Sequence, residues 1–293
     1  MTYFVQQVIS GLATGSLYAL MALGLVLIYR VCGVVNFSQG AMAFLSALVA
    51  YALIHEWGQA PLVAFIGALG VAGIVGVMVE WGILRVARRR AAPVLGLIIA
   101  TLGVALVLEG LAGMLFGHET KLFPPVVSGP PLRWGGVLVT REQLLNLGVG
   151  LALVSVFYIF FRKTQVGLAL RAIVQDPRAA QLLGIPVERL WQVSWGVGAG
   201  LGAVAGLFIA SQLFLDNGVM LELLMKGFAA AVLGGFSHFA GALVGGVVLG
   251  ILESLVVGYI STELKATFAF TLLVVVLIVR PEGLLGQLRR RRA

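Results

Sequence analysis

Long apolar runs separated by short polar breaks make up nearly the whole chain. They cover residues 8–29, 38–54, 61–84, 94–116, 143–161, 191–213, 219–236, 240–258 and 264–280. Most are about 17–25 residues long, the length at which a helix crosses the hydrocarbon layer. The run 219–236 is short and broken, interrupted by Lys226 and several glycines. Alternating segments of about ten residues, the mark of a transmembrane barrel, are not seen. The first run, 4–29, lacks a basic leader and a small-residue cleavage site, so it reads as a retained span. The pattern predicts an all-α, polytopic integral membrane protein, one transmembrane domain over residues 1–293, with about eight or nine crossing helices.

Composition agrees. Hydrophobic residues make up 60% of the chain, charged residues 11%, and the mean hydropathy is +1.05. A soluble domain of this length needs far more polar surface. The 39 glycines suit closely packed membrane helices, and Gly198, Gly202 and Gly206, Gly241 and Gly245, and Gly246 and Gly250 each share a helix face. The single cysteine, Cys32, has no disulfide partner and no ligand-type neighbours, and reads as a small apolar residue in a helix.

The charges give an orientation. Arg30, Arg85, Arg88, Arg89, Arg90, Arg162, Lys163, Arg171, Arg178, Arg189, Arg280 and Arg289 to Arg292 fall on one side. The other side holds only Lys121, Arg133, Arg141 and Lys265. The positive-inside rule makes the richer side cytoplasmic, including the RRRRA tail and the loop 162–190. Parity then requires 219–236 to cross and sets the N-terminus outside. The net charge of +8 is this asymmetry plus attraction to anionic lipid, and the arginines form no soluble face for nucleic acid. The external loop 117–142 contains PPVVSGPPLRWGGVLVT, whose prolines and Gly135-Gly136 predict an extended lid or hairpin. It reads equally as a docking surface for an external partner and as a plain connection.

Enzyme signatures are missing. There is no phosphate-binding G-x-x-x-x-G-K-[ST], no H-E-x-x-H, no cysteine pair and no G-x-S-x-G. His55, His118 and His238 lie far apart. No cofactor or metal is expected. Three acids lie in apolar runs: Glu80, Glu109 and Glu253. Each must face protein, a partner or water. Glu80 is expected to pair locally with Arg85 or to snorkel to the membrane surface. Glu109 and Glu253 are expected to bond a Ser, Thr or backbone group across a helix interface, or else to take up and release protons in a carrier.

The corner Asn36-Phe37-Ser38-Gln39 breaks the apolar stretch 8–54. It reads as a turn with Asn36 or Ser38 capping the next helix, or as a gate on a translocation path. NFSQGAMAFLSALVA (36–50) is echoed by GFSHFAGALVGGVVL (235–249), which places Ser237 and His238 at a matching corner. Duplicated halves with broken helices are a transporter habit.

The stretch RAIVQDPRAAQLLGI (171–185) is basic and helix-forming between two apolar runs. Asp176 followed by Pro177 is an N-cap with proline at the first helical position, Gly184 supplies the stop, and Pro186 prevents continuation. The spacing predicts a helix of about two turns over 177–183, too short to hold alone in water. Ala180, Leu182 and Leu183 form its apolar side and must bury against a soluble partner or lie on lipid.

At these residues the chain resembles the branched-chain amino acid permease family of bacterial ABC importers. YALMALGLVLIYRVCGVVNFSQGAM (18–42), KGFAAAVLGGFSHFAGALVGG (226–246) and RPEGLLG (280–286) resemble the same family, in order and over essentially the full length. One departure is Phe239-Ala240-Gly241-Ala242, where the family commonly has Pro-Gly-Ala, which leaves the turn there open. The resemblance implies a permease of the bacterial inner membrane without chemistry of its own. It implies a second related permease, a pair of ATPase subunits that bind ATP, and a periplasmic substrate-binding protein. Arg171, Asp176, Pro177, Ala180, Leu183 and Gly184 would then carry the contact with an ATPase. The path, with Asn36, Ser38, Gln39, Glu109, Ser237, His238 and Glu253 as candidates, would form where two permeases meet. The family's substrates are leucine-like amino acids, urea, short amides and aromatic acids. A proton-coupled carrier and a passive small-solute channel are the rival readings.

Overall fold

The computed structural model describes residues 2–123, 125–127, 129–134, 136–280 and 282–285. Gly135, Gly286 and the RRRRA tail lie outside the described residues. The helices are α1 (Thr2–Cys32), α2 (Gln39–His55), α3 (Pro61–Val79), α4 (Arg85–Arg89), α5 (Val94–Phe116), α6 (Arg141–Lys163), α7 (Gln165–Gln175), α8 (Pro177–Leu182), α9 (Val187–Gln212), α10 (Asn217–Gly234), α11 (Phe239–Tyr259) and α12 (Leu264–Val279). A π-helical turn, Glu80–Leu84, joins α3 to α4. Among the described residues seven continuous helices are long and apolar enough to cross a membrane, and α2 and α12 are shorter apolar helices. The fold is that of a polytopic helical membrane protein.

Helix α1 is the axis. Every residue from Leu17 to Ile28 is buried, as expected of a helix that is apolar on all sides. Neighbours reach it because glycines remove the side chains between backbones. On α11, Gly246 rests on Ala19, and Gly250 on Gly15 and Gly11. Gly198 of α9 rests on Gly24 and Ile28. The same stripe of α9 continues with Gly202 against Gln39 and Gly206 against Ala43 and Met220, so one face touches α1, α2 and α10 in turn. Gly241 and Gly245 of α11 serve the contact with α10, at Gly234 and Ala230.

The ends of the bundle follow from contacts. Tyr3 donates to Gly258 O (2.9 Å), placing the start of α1 beside the end of α11. At the opposite end Arg30 lies 4.8 Å over the Phe239 ring. Arg85 and Arg89 both reach Glu188 of α9, and Arg88 lies over Trp191 (4.1 Å), whose Nε1 donates to Val31 O (3.0 Å). These arginines therefore share one end. Lys121 lies at the other, paired with Leu215 in an isolated bridge and over Tyr51. Helix α10 starts next to Leu215 and ends with Gly234 on Gly241. The broken run containing Lys226 thus traverses the bundle, as parity demanded.

One expectation needs correction. Glu80 pairs with Arg88 rather than Arg85. The wide π turn brings Arg88 back over Glu80, while Arg85 faces α9. Residues 162–190, read as a connection carrying a short helix, hold the end of α6, α7, α8 and the first turn of α9. The segment 117–142 holds a hairpin, β1 (Leu132–Trp134) antiparallel to β2 (Val137–Val139), with Arg133 opposite Leu138. A capping box starts α6: Thr140 Oγ1 accepts from Gln143 N (3.2 Å) and Gln143 Oε1 from Thr140 N (3.0 Å).

If backbone contact at α1 holds the bundle together, Gly250→Leu must wedge α11 off Gly15 and Gly11. Overpacking costs about 1–3 kcal/mol and occasionally more, and here the neighbour is backbone that cannot give way, so the variant should lose its monodisperse gel-filtration peak and its thermal transition. Gly103→Leu, on α5 with nothing within 4 Å, should keep both.

Candidate coupling surface and transport path

Both ends of the short helix α8 are fixed by identifiable residues. Asp176 is extended (φ −155°, ψ 106°), and its carboxylate accepts from Arg178 N (2.8 Å) and Ala179 N (3.0 Å). Pro177, without an N–H, follows at the first helical position. At the far end Ile185 N donates to Ala180 O (3.1 Å) and Gly184 N to Gln181 O (3.0 Å). With Gly184 at φ +81° this is a Schellman ending, which needs the left-handed region glycine enters freely. The helix spans 177–182, with Leu183 as its C-cap.

The predicted apolar side divides. Ala180 is 2% exposed and packs on the bundle, whereas Leu182 and Leu183 are 90% and 81% exposed. Arg171, on α7, is not beside them. It borders a cavity between α1, α6, α7 and α11.

The corner at 36–39 is sunk in the bundle, with Asn36, Ser38 and Gln39 all fully buried. Asn36 Oδ1 accepts from the Ser38 backbone N–H (3.0 Å) and hydroxyl (2.6 Å), a side-chain turn. Ser38 is the N-cap residue of α2, but its hydroxyl bonds none of the helix N–H groups. Of the two candidate caps, Asn36 therefore shapes the corner. Phe37 N donates to Thr101 Oγ1 of α5 (3.2 Å), and Gln39 Nε2 to Met21 O (3.2 Å). Met21 lies about three turns back up α1 from Cys32, so the chain re-enters the bundle before α2 begins.

Glu109 is half-buried and borders two adjoining cavities, of about 310 and 290 Å³, between α2, α5 and the start of α10. Phe37, Gly40 and Leu224 line the first, His118, Glu119 and Asp216 the second, and Leu106 and Asn217 both. Ser237 and His238 contact one another (2.9 Å) at the basic end, beside a separate cavity with Arg30 and Tyr29. Glu253 belongs to neither group. It is 2% exposed and accepts from Lys226 Nζ at 2.6 Å. Lys226, 4% exposed, also donates to Tyr18 Oη (3.2 Å) and lies 2.5 Å from Glu222, while Lys265 approaches Glu253 at 3.5 Å. The expected Ser, Thr or backbone partner of Glu253 is replaced by a buried ion pair.

Residues 7–277 match the family model described as "Branched-chain amino acid transport system / permease component". The chain belongs to this family. It is 33% identical to the high-affinity branched-chain amino acid transport system permease protein LivH of Escherichia coli K12, over 97% of this chain and 96% of that one. It is 30% identical to the permease protein BraD of Pseudomonas aeruginosa, again over 97% and 96%. A probable LivH of Methanocaldococcus jannaschii is 30% identical over 92% of this chain and 89% of its own. Among solved structures, a chain of PsaBC from Streptococcus pneumoniae in complex with Fab shares the fold at a TM-score of 0.53. It is 15% identical and covers 96% of this chain and 93% of that one. As a branched-chain amino acid permease component, the protein is the membrane-embedded part of a transport complex that also needs ATPase and substrate-binding partners.

In this permease the candidate path residues do not form one site. Asn36, Ser38 and Gln39 are buried in the middle, Glu109 borders the cavities near the Lys121 end, Ser237 and His238 are at the basic end, and Glu253 is locked in its pair. Sequence reasoning missed Lys226 and Tyr18. The signal was present, because a lysine inside an apolar run must find a carboxylate within the protein. The partner, 27 positions away, needs the α10–α11 contact to be identified.

Lys226→Met leaves Glu253 buried beside less compensation, and breaking such a pair costs about 3–5 kcal/mol. Its unfolding transition in detergent should fall well below wild type, and Lys226→Met/Glu253→Gln should recover most of the loss. Additive losses in the double variant would show the pair to be energetically uncoupled.

Proposed function

We propose that this chain is the permease of an ATP-driven importer for branched-chain or related amino acids, working by alternating access. The observation that carries this reading is the pair Leu182 and Leu183, held almost fully exposed at the tip of a helix capped at both ends. Two leucines in water on a rigid mount fit an apolar groove on a soluble subunit, and the ATPase of the complex is the partner that has to be met. The positive-inside rule puts their end of the bundle in the cytoplasm and the N-terminus on the periplasmic side of a bacterial inner membrane. The hairpin 132–139 and the Lys121 end then face the substrate-binding protein.

The path is assigned to the cavities beside Glu109. They are bounded on one side by α5, whose Ile99, Leu106 and Val107 stand exposed, and a second permease set against that face would enclose them. Glu109, Glu119 and Asp216 at the mouth favour a solute carrying an ammonium group. Two such permeases with a pair of ATPases complete the assembly. Glu253, held by Lys226 and Lys265, lacks the water-facing position a proton carrier requires.

With the full complex in proteoliposomes, Leu182→Asp/Leu183→Asp should fold normally yet lose about tenfold or more of ATP-driven leucine uptake, the scale of a lost interface anchor. Unchanged uptake would remove the docking role. Leucine flux through the permease alone, driven by a pH gradient, would instead establish the carrier.

A further inference from the structure

The cavity that receives Arg171 has a volume of about 730 Å³ and lies between α1, α6, α7 and α11. Its basic rim is made by Arg30 in the last turn of α1, Arg162 in the last turn of α6, and Arg171 of α7. Arg30 is held over Phe239, and Arg162 Nη1 donates to the Tyr158 hydroxyl. Arg171 Nε is buried without a hydrogen-bond partner among the described residues. None of the three arginines makes an ion pair among the described residues. Glu282, which with Arg30 borders the neighbouring cavity, is beyond ion-pair distance.

Below the arginines the wall becomes apolar, with Leu23, Val154 and Leu243. Leu23 and Val154 lie about 10 Å deeper along α1 and α6 than the arginines, by helix rise. Tyr158 and Ile159, on the rim, are 54% and 56% exposed, so this side of α6 is open to what surrounds the bundle. The charge is therefore at the level of lipid headgroups and the apolar trough runs along the acyl chains.

We propose that this cavity is a binding site for an anionic phospholipid, its phosphate held by Arg30, Arg162 and Arg171 and the start of an acyl chain lying on Leu23, Val154 and Leu243. Basic pockets between spanning helices are the general form of such sites. Guanidinium forks match phosphate oxygens in geometry as well as charge, and an anion supplies the partner that Arg171 Nε lacks. A bound lipid would join α7 to α1, α6 and α11. The proposal needs only that the protein is embedded in a membrane and is independent of the transported solute.

The test is native mass spectrometry of the delipidated transporter complex, titrated separately with phosphatidylglycerol, phosphatidylcholine and inorganic phosphate. Phosphatidylglycerol should be retained in preference to phosphatidylcholine, with no comparable retention of inorganic phosphate. Arg30→Gln/Arg162→Gln should weaken phosphatidylglycerol binding by about tenfold or more. Arg178→Gln, which removes the same kind of charge outside the cavity, should leave it unchanged. Equal retention of the two lipids by wild-type protein would overturn the proposal, and that comparison stands even if the double variant does not fold. So would equal weakening by Arg178→Gln, which reports general charge, or tight binding of inorganic phosphate alone, which reports a free-anion site. Failure of the intact complex to retain any lipid would likewise overturn the proposal.

Discussion

The bundle depends on how closely backbone can approach backbone around α1. In lipid there is no hydrophobic gain in joining two apolar helices, because the tails are as apolar as leucine. What remains is the quality of the contact, and side chains that hold backbones apart weaken it. Gly11, Gly15 and Gly24 of α1 meet Gly250, Gly246 and Gly198 of its neighbours, so two helices settle directly on the axis. Once α9 and α11 are seated, α2 and α10 have only one place to go, against the remaining small residues of α9 and α11. An apolar chain with fewer glycines would keep its spans and lose this arrangement.

A second constraint acts on everything polar inside that arrangement. Unpaired N–H and C=O groups are expensive in hydrocarbon, so non-helical backbone survives only where protein surrounds it. The sunken segment between α1 and α2 satisfies this with Asn36, Thr101 and the Met21 carbonyl. Lys226 satisfies it with Glu253, Glu222 and Tyr18, and thereby ties α10 to α11 and α1. Gln39 Oε1 is one of several buried side-chain atoms with no partner among the described residues, as are Asn146 Nδ2, Trp195 Nε1 and Glu253 Oε2. Gln39 lies where α2, α9 and α1 converge, a natural place for a bond that changes partner as helices move.

Local features were legible in the sequence, and depth was not. Helix α8 could be read to within a residue, because Asp176, Pro177 and Gly184 each act within a turn of where they stand. The number of crossing helices followed from length and hydropathy. The burial of Asn36–Gln39 did not, since a polar corner between two apolar runs looks the same at a membrane surface or within the bundle. Nor did the partners of Glu80 and Glu253, which depend on a π turn in one case and on a distant helix in the other. Arg171 shows the same limit: its neighbours in sequence point to α8, while its side chain belongs to a cavity made by three other elements as well.

A continuous set of contacts links the tip of α8 to the middle of the bundle. Only residues 183–186 separate α8 from α9, and the Schellman bonds together with Val187 N to Ile185 O (2.8 Å) leave that connection little slack. The first turn of α9 is fastened by Glu188 to Arg85 and Arg89, so α4 and the π turn move with it. Farther along, α9 presents Gly198, Gly202 and Gly206 to its neighbours, a smooth face along which packed helices can shear by small distances. Gln39 lies on that face, and Phe37 and Gly40 beside it line the cavity with Glu109. The stiff links are thus at the basic end and the sliding contacts in the middle. Under the proposed docking role, a displacement of Leu182 and Leu183 would act on the wall of the cavity through these contacts.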